Sequence, residues 1–150
     1  MSEALFRSVL VPTDFSESSF RAIDLAVKLL GNQGQITLLH VGVVPHLVAA
    51  EYGIAGASGP LFAQLSAEVN REQVERLRET ARARVPETLS CSCFVREGYG
   101  PEEIVAQVTE GSHDLVVMGT HGRTGLQRAL LGSVTERVVR TCPVPVLVTH

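Results

Sequence analysis

The sequence predicts an open α/β fold, a parallel sheet wound by helices on both faces, and three observations carry that expectation. Short β-branched runs alternate with longer amphipathic segments, the pattern of parallel strands joined by helical crossovers. Five such runs can be counted along the 150 residues. Behind the fourth stands a cluster of glycines and hydroxyl residues, where open parallel sheets receive their ligands. The length suits one domain, residues 1–150, able to bury a core without disulfides or metals.

The elements follow in order. Ser8-Val9-Leu10-Val11 is the first strand, closed by Pro12-Thr13-Asp14. From Ser16 to Leu30, Ile23, Ala26, Val27 and Leu30 form one helical stripe, and Gly31 ends it. Gln35 to Val44 is the second strand, too apolar for a sheet edge. Pro45 to Leu61, rich in Gly, Ala and Pro and without periodicity, reads as an insertion that could serve as a lid or partner surface. The helix of Leu61 to Arg84 is expected to turn Leu65, Val69, Leu77 and Ala81 inward, with Glu72–Arg76 and Glu79–Arg82 pairs on a solvated face. Pro86 breaks it, and Thr88 to Val95, of mixed polarity, makes a third strand near the edge. Gly100-Pro101-Glu102-Glu103 opens a helix with proline first and acids in the first turn, and Ile104, Val105 and Val108 supply its buried stripe. Asp114 to Met118 is the fourth strand, buried on both faces; Ser133 to Thr141 is the last helix and Pro145 to Thr149 the fifth strand.

Composition removes several classes of function. Charged residues make up 19% and the formal net charge is −3, which gives no electrostatic reason to approach nucleic acid or anionic lipid. No apolar run approaches the roughly 20 residues of a membrane helix. Glu3 and Arg7 interrupt the first residues too early for a signal-peptide core, so a cytoplasmic location is expected. The three cysteines then read as reduced thiols. Cys91 and Cys93 share a strand face, but no second Cys/His pair follows at zinc-ligand spacing, and packing is the simpler reading.

The chemistry concentrates in Gly119-Thr120-His121-Gly122, then Arg123 to Leu131, then Gly132-Ser133-Val134-Thr135. A Cβ at Gly119 or Gly122 would hold a phosphate or ribose away from the backbone amides. Gly132-Ser133 supplies the second half, because the opening amides of a helix lack internal partners and carry the positive end of its dipole. Ser133-Val134-Thr135-Glu136 also has the form of a capping box, in which Ser133→Ala would cost about 0.5–2 kcal/mol. Asp14 has a similar second reading, as the cap of the first helix with Glu17 completing the box. The Gly-Lys-Ser/Thr tail of phosphate loops is missing, and so are the dinucleotide-binding glycines after the first strand.

The pattern Gly119-x2-Gly122-x9-Gly132-Ser133, with Pro12-Thr13-Asp14, Leu39-His40-Val41 and the terminal Pro143-Val144-Pro145-Val146-Leu147-Val148, closely resembles the universal stress protein family, in its nucleotide-binding branch. The resemblance implies a five-stranded parallel sheet of order 3-2-1-4-5, related in architecture to nucleotide α-hydrolases, and ATP as ligand, with Mg2+ as accompanying ion. It places Pro12, Thr13, Asp14 and Val41 around the adenine, and Met118 and Gly119 at the ribose. Gly122, Gly132, Ser133, Val134 and Thr135 fall to the phosphates, with His121 and Arg123 adjacent.

The function that follows is a nucleotide-dependent stress or signalling module, with at most slow hydrolysis, since no general base stands paired with a nucleophile. The alternative is an ATP-using, adenylating enzyme of the related architecture; its Ser-Gly-Gly type of loop is replaced here by Pro12-Thr13-Asp14-Phe15-Ser16. A phospho-accepting receiver would need an aspartate ending the third strand and a lysine ending the fifth, where this chain has Arg96-Glu97 and Thr149-His150. The apolar last strand, Val144 to Val148, is expected to pair with a second copy as a homodimer.

Overall fold

The structure, a computed structural model, describes residues 4–43, 59–120 and 131–150. Five strands, β1 (Ser8–Pro12), β2 (Gln35–Gly42), β3 (Ser90–Glu97), β4 (Leu115–Gly119) and β5 (Val146–Thr149), form one sheet of order β3-β2-β1-β4-β5, the order expected. Every pairing is parallel, with Ser8 opposite Gln35, Val9 opposite Leu115 and Val116 opposite Val146. The described helices are α1 (Glu17–Leu30), α2 (Pro60–Arg84), α3 (Gly100–Glu110) and α4 (Ser133–Thr141). None of them is long and apolar enough to cross a membrane.

The period-two alternation of the central strands feeds two separate cores. Val9, Val11, Ile36, Leu38 and Val117 pack with Ala22, Ile23, Ala26 and Leu30 of α1 and Leu77 of α2. On the other face Leu10, Leu39, Val116 and Met118 meet Ile104 and Val108 of α3 and Val138 of α4. Apolar surface on both faces is why β1 and β4 read as continuous hydrophobic runs. As expected, Gly31 terminates α1: its φ of +63° is left-handed, and its N–H donates to the Val27 carbonyl at 3.0 Å.

Helix α2 departs from its expected orientation. Leu77 is buried, whereas Leu65 and Val69 are 51% and 49% exposed, so the inward stripe does not reach the first half of the helix. Arg76 is not in the solvated ion pair foreseen; its guanidinium lies 4.1 Å from the centre of the Phe15 ring. Surface pairing falls to Glu75, 3.1 Å from Arg82 and 3.9 Å from Arg78, rather than to Glu72 and Glu79. The physical reason is that a guanidinium is a flat cation that can lie on an aromatic face instead of a carboxylate, while the residue stays exposed.

At the other end of the strands Asp114 accepts from the Arg7 and Ser8 amides at 2.8 and 3.1 Å, and His113 Nδ1 lies 2.9 Å from Ser8 Oγ. Burial holds the His113 imidazole below its ordinary pKa of 6.5, against the opposing charge of Asp114. In acid the unfolded chain therefore binds the extra proton more readily. This contribution to stability is complete above the ordinary histidine value and is lost as pH falls below it. Urea midpoints should accordingly drop between neutral and mildly acidic pH, and His113→Phe should flatten that slope; an unchanged slope in the variant would contradict the assignment.

Candidate ligand cleft

The first strand ends in a turn closed by its own side chains. The Thr13 amide donates to the Leu39 carbonyl at 2.8 Å, extending the β1–β2 ladder by one bond. Thr13 Oγ1 then accepts from the Phe15 amide at 3.0 Å and, its partner Ser19 Oγ being committed to donating to the Ser16 carbonyl, donates to Ser19 Oγ at 2.8 Å. Asp14 Oδ1 accepts from the Ser16 amide at 3.0 Å, an Asx turn. Phe15 sits at the left-handed φ of +64°, uncommon outside glycine. Its ring is pinned by Arg76 on α2 and by His40, 4.8 Å away between ring centres. His40 Nδ1 in turn lies 2.9 Å from the Thr13 carbonyl, which can only accept, so Nδ1 carries the proton.

This turn corrects the reading of Asp14 as a helix cap. Ser16 caps α1, its side chain accepting from the Ser19 amide. The carboxylate of Asp14 instead shapes the turn in front of the helix, at the mouth of a cleft.

The end of β4 is joined to α4 by two bonds. Thr135 Oγ1 donates to the Gly119 carbonyl at 2.9 Å, and the Gly132 amide donates to the Thr120 carbonyl at 2.8 Å. Gly119 lacks a side chain for a reason the sequence did not disclose. A Cβ there would lie 2.9 Å from the Ser18 backbone carbonyl carbon and collide with Ser18 Oγ, so the start of α1 rests directly on the strand end.

The capping box at Ser133 is also corrected. Gly132 is the N-cap of α4, no side chain among the described residues caps the helix, and the Glu136 carboxylate reaches outward to Arg140 at 2.7 Å. Ser133 is therefore the first helical residue, and among the described residues the opening amides of α4 receive no side-chain acceptor. Helix α3 likewise starts at Tyr99 without a side-chain cap and with Pro101 in its first turn.

These pieces enclose a cleft of about 420 Å3 beyond the carboxyl ends of β1 and β4, where the strand order reverses. The volume lies in the range of small-molecule sites. Pro12, Leu39, Val41, Ile104 and Met118 make its apolar walls, and the first turn of α4, Gly132 to Thr135, makes a polar end. Of the residues singled out in the sequence, Pro12, Thr13, Asp14, Val41, Met118, Gly119, Gly132, Ser133, Val134 and Thr135 all line this cleft. His121, Gly122 and Arg123 lie outside the described residues, as does the insertion as far as residue 58.

Sequence reasoning missed Ser18, Ser19, Gly100 and Ile104 as lining residues, whereas His40, at the end of the second strand, does line the cleft. The signal for Ser18 and Ser19 was available, as two serines placed toward the buried side of an amphipathic helix. Gly100 and Ile104 carried none, because the approach of α3 to the cleft is a matter of tertiary packing. Among the described residues no three His, Cys, Asp or Glu side chains are grouped as ligands for a metal ion.

The fold and the cleft together define an open, doubly wound α/β protein whose crevice lies at the strand-order reversal. The chain belongs to the universal stress protein family, whose model matches residues 5–150. It is 32% identical over 147 residues to Universal stress protein MJ0531 of Methanocaldococcus jannaschii, covering 97% of this chain and 83% of that one. The solved structure of MJ0577, a universal stress protein of the same organism, superimposes with a TM-score of 0.81 at 27% identity, covering 97% of this chain and 96% of the other. A universal stress protein in complex with cAMP shares the fold, with a TM-score of 0.63 at 21% identity and 97% of each chain covered.

Proposed function

We propose that the cleft binds an adenine nucleotide, ATP with Mg2+, and that occupancy acts as a nucleotide-dependent signal in a cytoplasmic stress response rather than as rapid chemistry. The observation that carries this reading is the opening turn of α4, which has no side-chain cap among the described residues and stands at the polar end of an otherwise apolar cleft. Three aligned N–H groups and the positive end of the helix dipole suit a phosphate chain. The apolar walls suit a flat base and a ribose. The family member solved with cAMP supports a nucleotide of the adenine class. With no cluster of metal-ligating side chains among the described residues, a divalent ion is expected to be held chiefly through phosphate oxygens.

The test is direct. Freshly purified protein is denatured and any released small molecule is identified by mass; ATP or another adenine nucleotide is expected. Protein freed of nucleotide should gain about 2.7 kcal/mol of stability at a hundredfold excess of ATP over its dissociation constant. Release of no nucleotide, together with no gain in stability, would overturn the proposal.

We further propose that two copies pair through Val144 to Val148. Strand β5 is an outer strand of the sheet, and Leu147 on it and Val139 on α4 are 37% and 44% exposed. Exposed apolar edge strands are templates for pairing. Light scattering should give twice the chain mass at micromolar concentration, and Leu147→Lys should give the single mass. A wild-type protein of single mass would contradict the proposal.

A further inference from the structure

Strand β3 is an outer strand of the sheet and carries Cys91 and Cys93 in its amino-terminal half, away from the cleft. In the register of the sheet Cys91 stands opposite Ile36 and Cys93 opposite Leu38. Both of those partners face the core that α1 and α2 cover, so the two cysteines turn to that same side. Packing explains only one of them. Cys93 is half-buried against this core, its Sγ 3.8 Å from the Leu77 carbonyl oxygen of α2, whereas Cys91 is exposed.

The thiols also meet each other. Cys91 is hydrogen-bonded to Cys93, and this bond, helped by the positive charge of Arg78 on α2, draws the Cys93 thiol down to about 7 against the effect of burial. Two sulfurs in contact at the surface, with a guanidinium nearby, form a ligand set.

Magnitudes decide what the pair can take. Residues two apart on a strand are about 6.6 Å apart at Cα. This is the outer end of the roughly 4.4–6.8 Å that disulfides span, and the two Cβ bonds run side by side instead of converging. Closing an S–S bond of about 2.0 Å would therefore buckle the strand. An ion between the sulfurs needs no such movement, because two metal–sulfur bonds of roughly 2.3 Å each, the length of zinc thiolates, cross the gap. Structural zinc takes four ligands, and among the described residues no third His, Cys, Asp or Glu joins the pair. Calcium and magnesium demand oxygen ligands. What remains is a soft ion that two thiolates satisfy, and Cu(I) has that preference.

We propose that Cys91 and Cys93 bind one Cu(I) ion per chain as a two-coordinate bis-thiolate site on β3. Each thiol gives up its proton to solvent and each sulfur donates an electron pair to the ion, so the metal is neither oxidised nor reduced. Two thiolates and one monovalent cation leave a single negative charge, which the Arg78 guanidinium offsets even though it also lies 3.9 Å from Glu75. The site lies apart from the nucleotide cleft and does not rest on its occupant.

The experiment is a competition. Reduced full-length protein is added, without oxygen, to the coloured Cu(I) complex of bicinchoninate, whose absorbance falls as copper is withdrawn. One equivalent should be withdrawn per chain, and X-ray absorption of the loaded protein should show two sulfur neighbours around copper. Cys91→Ser, exposed on an outer strand and so sparing the fold, should weaken binding by more than the roughly 10–100-fold that loss of an outer-shell partner costs. Cys93→Ser should do the same, and Cys142→Ser should leave affinity unchanged. The proposal is overturned if no copper is withdrawn, if Cys91→Ser binds as tightly as the parent protein, if Cys142→Ser loses affinity to the same extent, or if light scattering shows that copper links chains together.

Discussion

Gly119→Ala is expected to unfold the protein more readily by about 3 kcal/mol, the upper end for overpacking a close contact, with or without nucleotide. The added methyl group meets the Ser18 backbone at 2.9 Å, and backbone at the start of a helix cannot turn aside as a flexible side chain can. The strain is transmitted to the site, because Ser18 and Gly119 both line the first cleft and the Gly119 carbonyl holds Thr135. Urea denaturation of the nucleotide-free variant decides the matter. Had the glycine served only to let a ligand approach, apo stability would equal that of the parent protein and only affinity would fall.

Ser133→Pro should do the reverse, sparing the fold and weakening nucleotide binding by roughly tenfold to a hundredfold, the worth of one hydrogen bond to a charged group. Proline is tolerated in the first turn of a helix, where its missing N–H has no intrahelical partner. The preceding residue must be extended, and Gly132 already is, with φ −58° and ψ 155°. Apo stability should therefore move by no more than about 0.5 kcal/mol. Ser133→Ala should be similarly silent in the apo protein, because Ser133 caps nothing. A loss within the range of a removed cap, together with unchanged affinity in Ser133→Pro, would restore the capping box and remove the anion site.

The fold was legible because its physics is local and repeated. Val9, Leu10 and Val11 are all apolar in sequence because Val9 and Val11 face one core and Leu10 the other, and Gly31 ends α1 because the chain must turn through a left-handed angle there. The ten cleft residues were legible for a related reason: they fall at strand ends and at a helix start, positions that topology alone brings together. The errors arose where one pattern fits two structures. Asp14-x-x-Glu17 and Ser133-x-x-Glu136 both have the form of a capping box, and a shift of one or two residues in the helix start decides whether the first side chain caps, turns or faces a cleft. Ser16 caps α1 and Gly132 starts α4, neither of which residue type alone could distinguish. Arg76 is exposed as expected, but its partner is the Phe15 ring rather than Glu72, because a guanidinium can lie on an aromatic face as well as pair with a carboxylate. The polar interior around His113 left no trace in periodicity, since Ser8, Thr37 and Gln107 belong to three separate elements.

The measurement that bears most directly on the nucleotide site is an amide NMR titration of nucleotide-free protein with ATP and Mg2+. Saturable shifts of the Ser133, Val134 and Thr135 N–H signals, lost or much weakened with adenosine lacking phosphate, are the expected result. Saturation elsewhere in the chain with these three amides unmoved would contradict the assignment of α4 as the anion-binding end of the cleft.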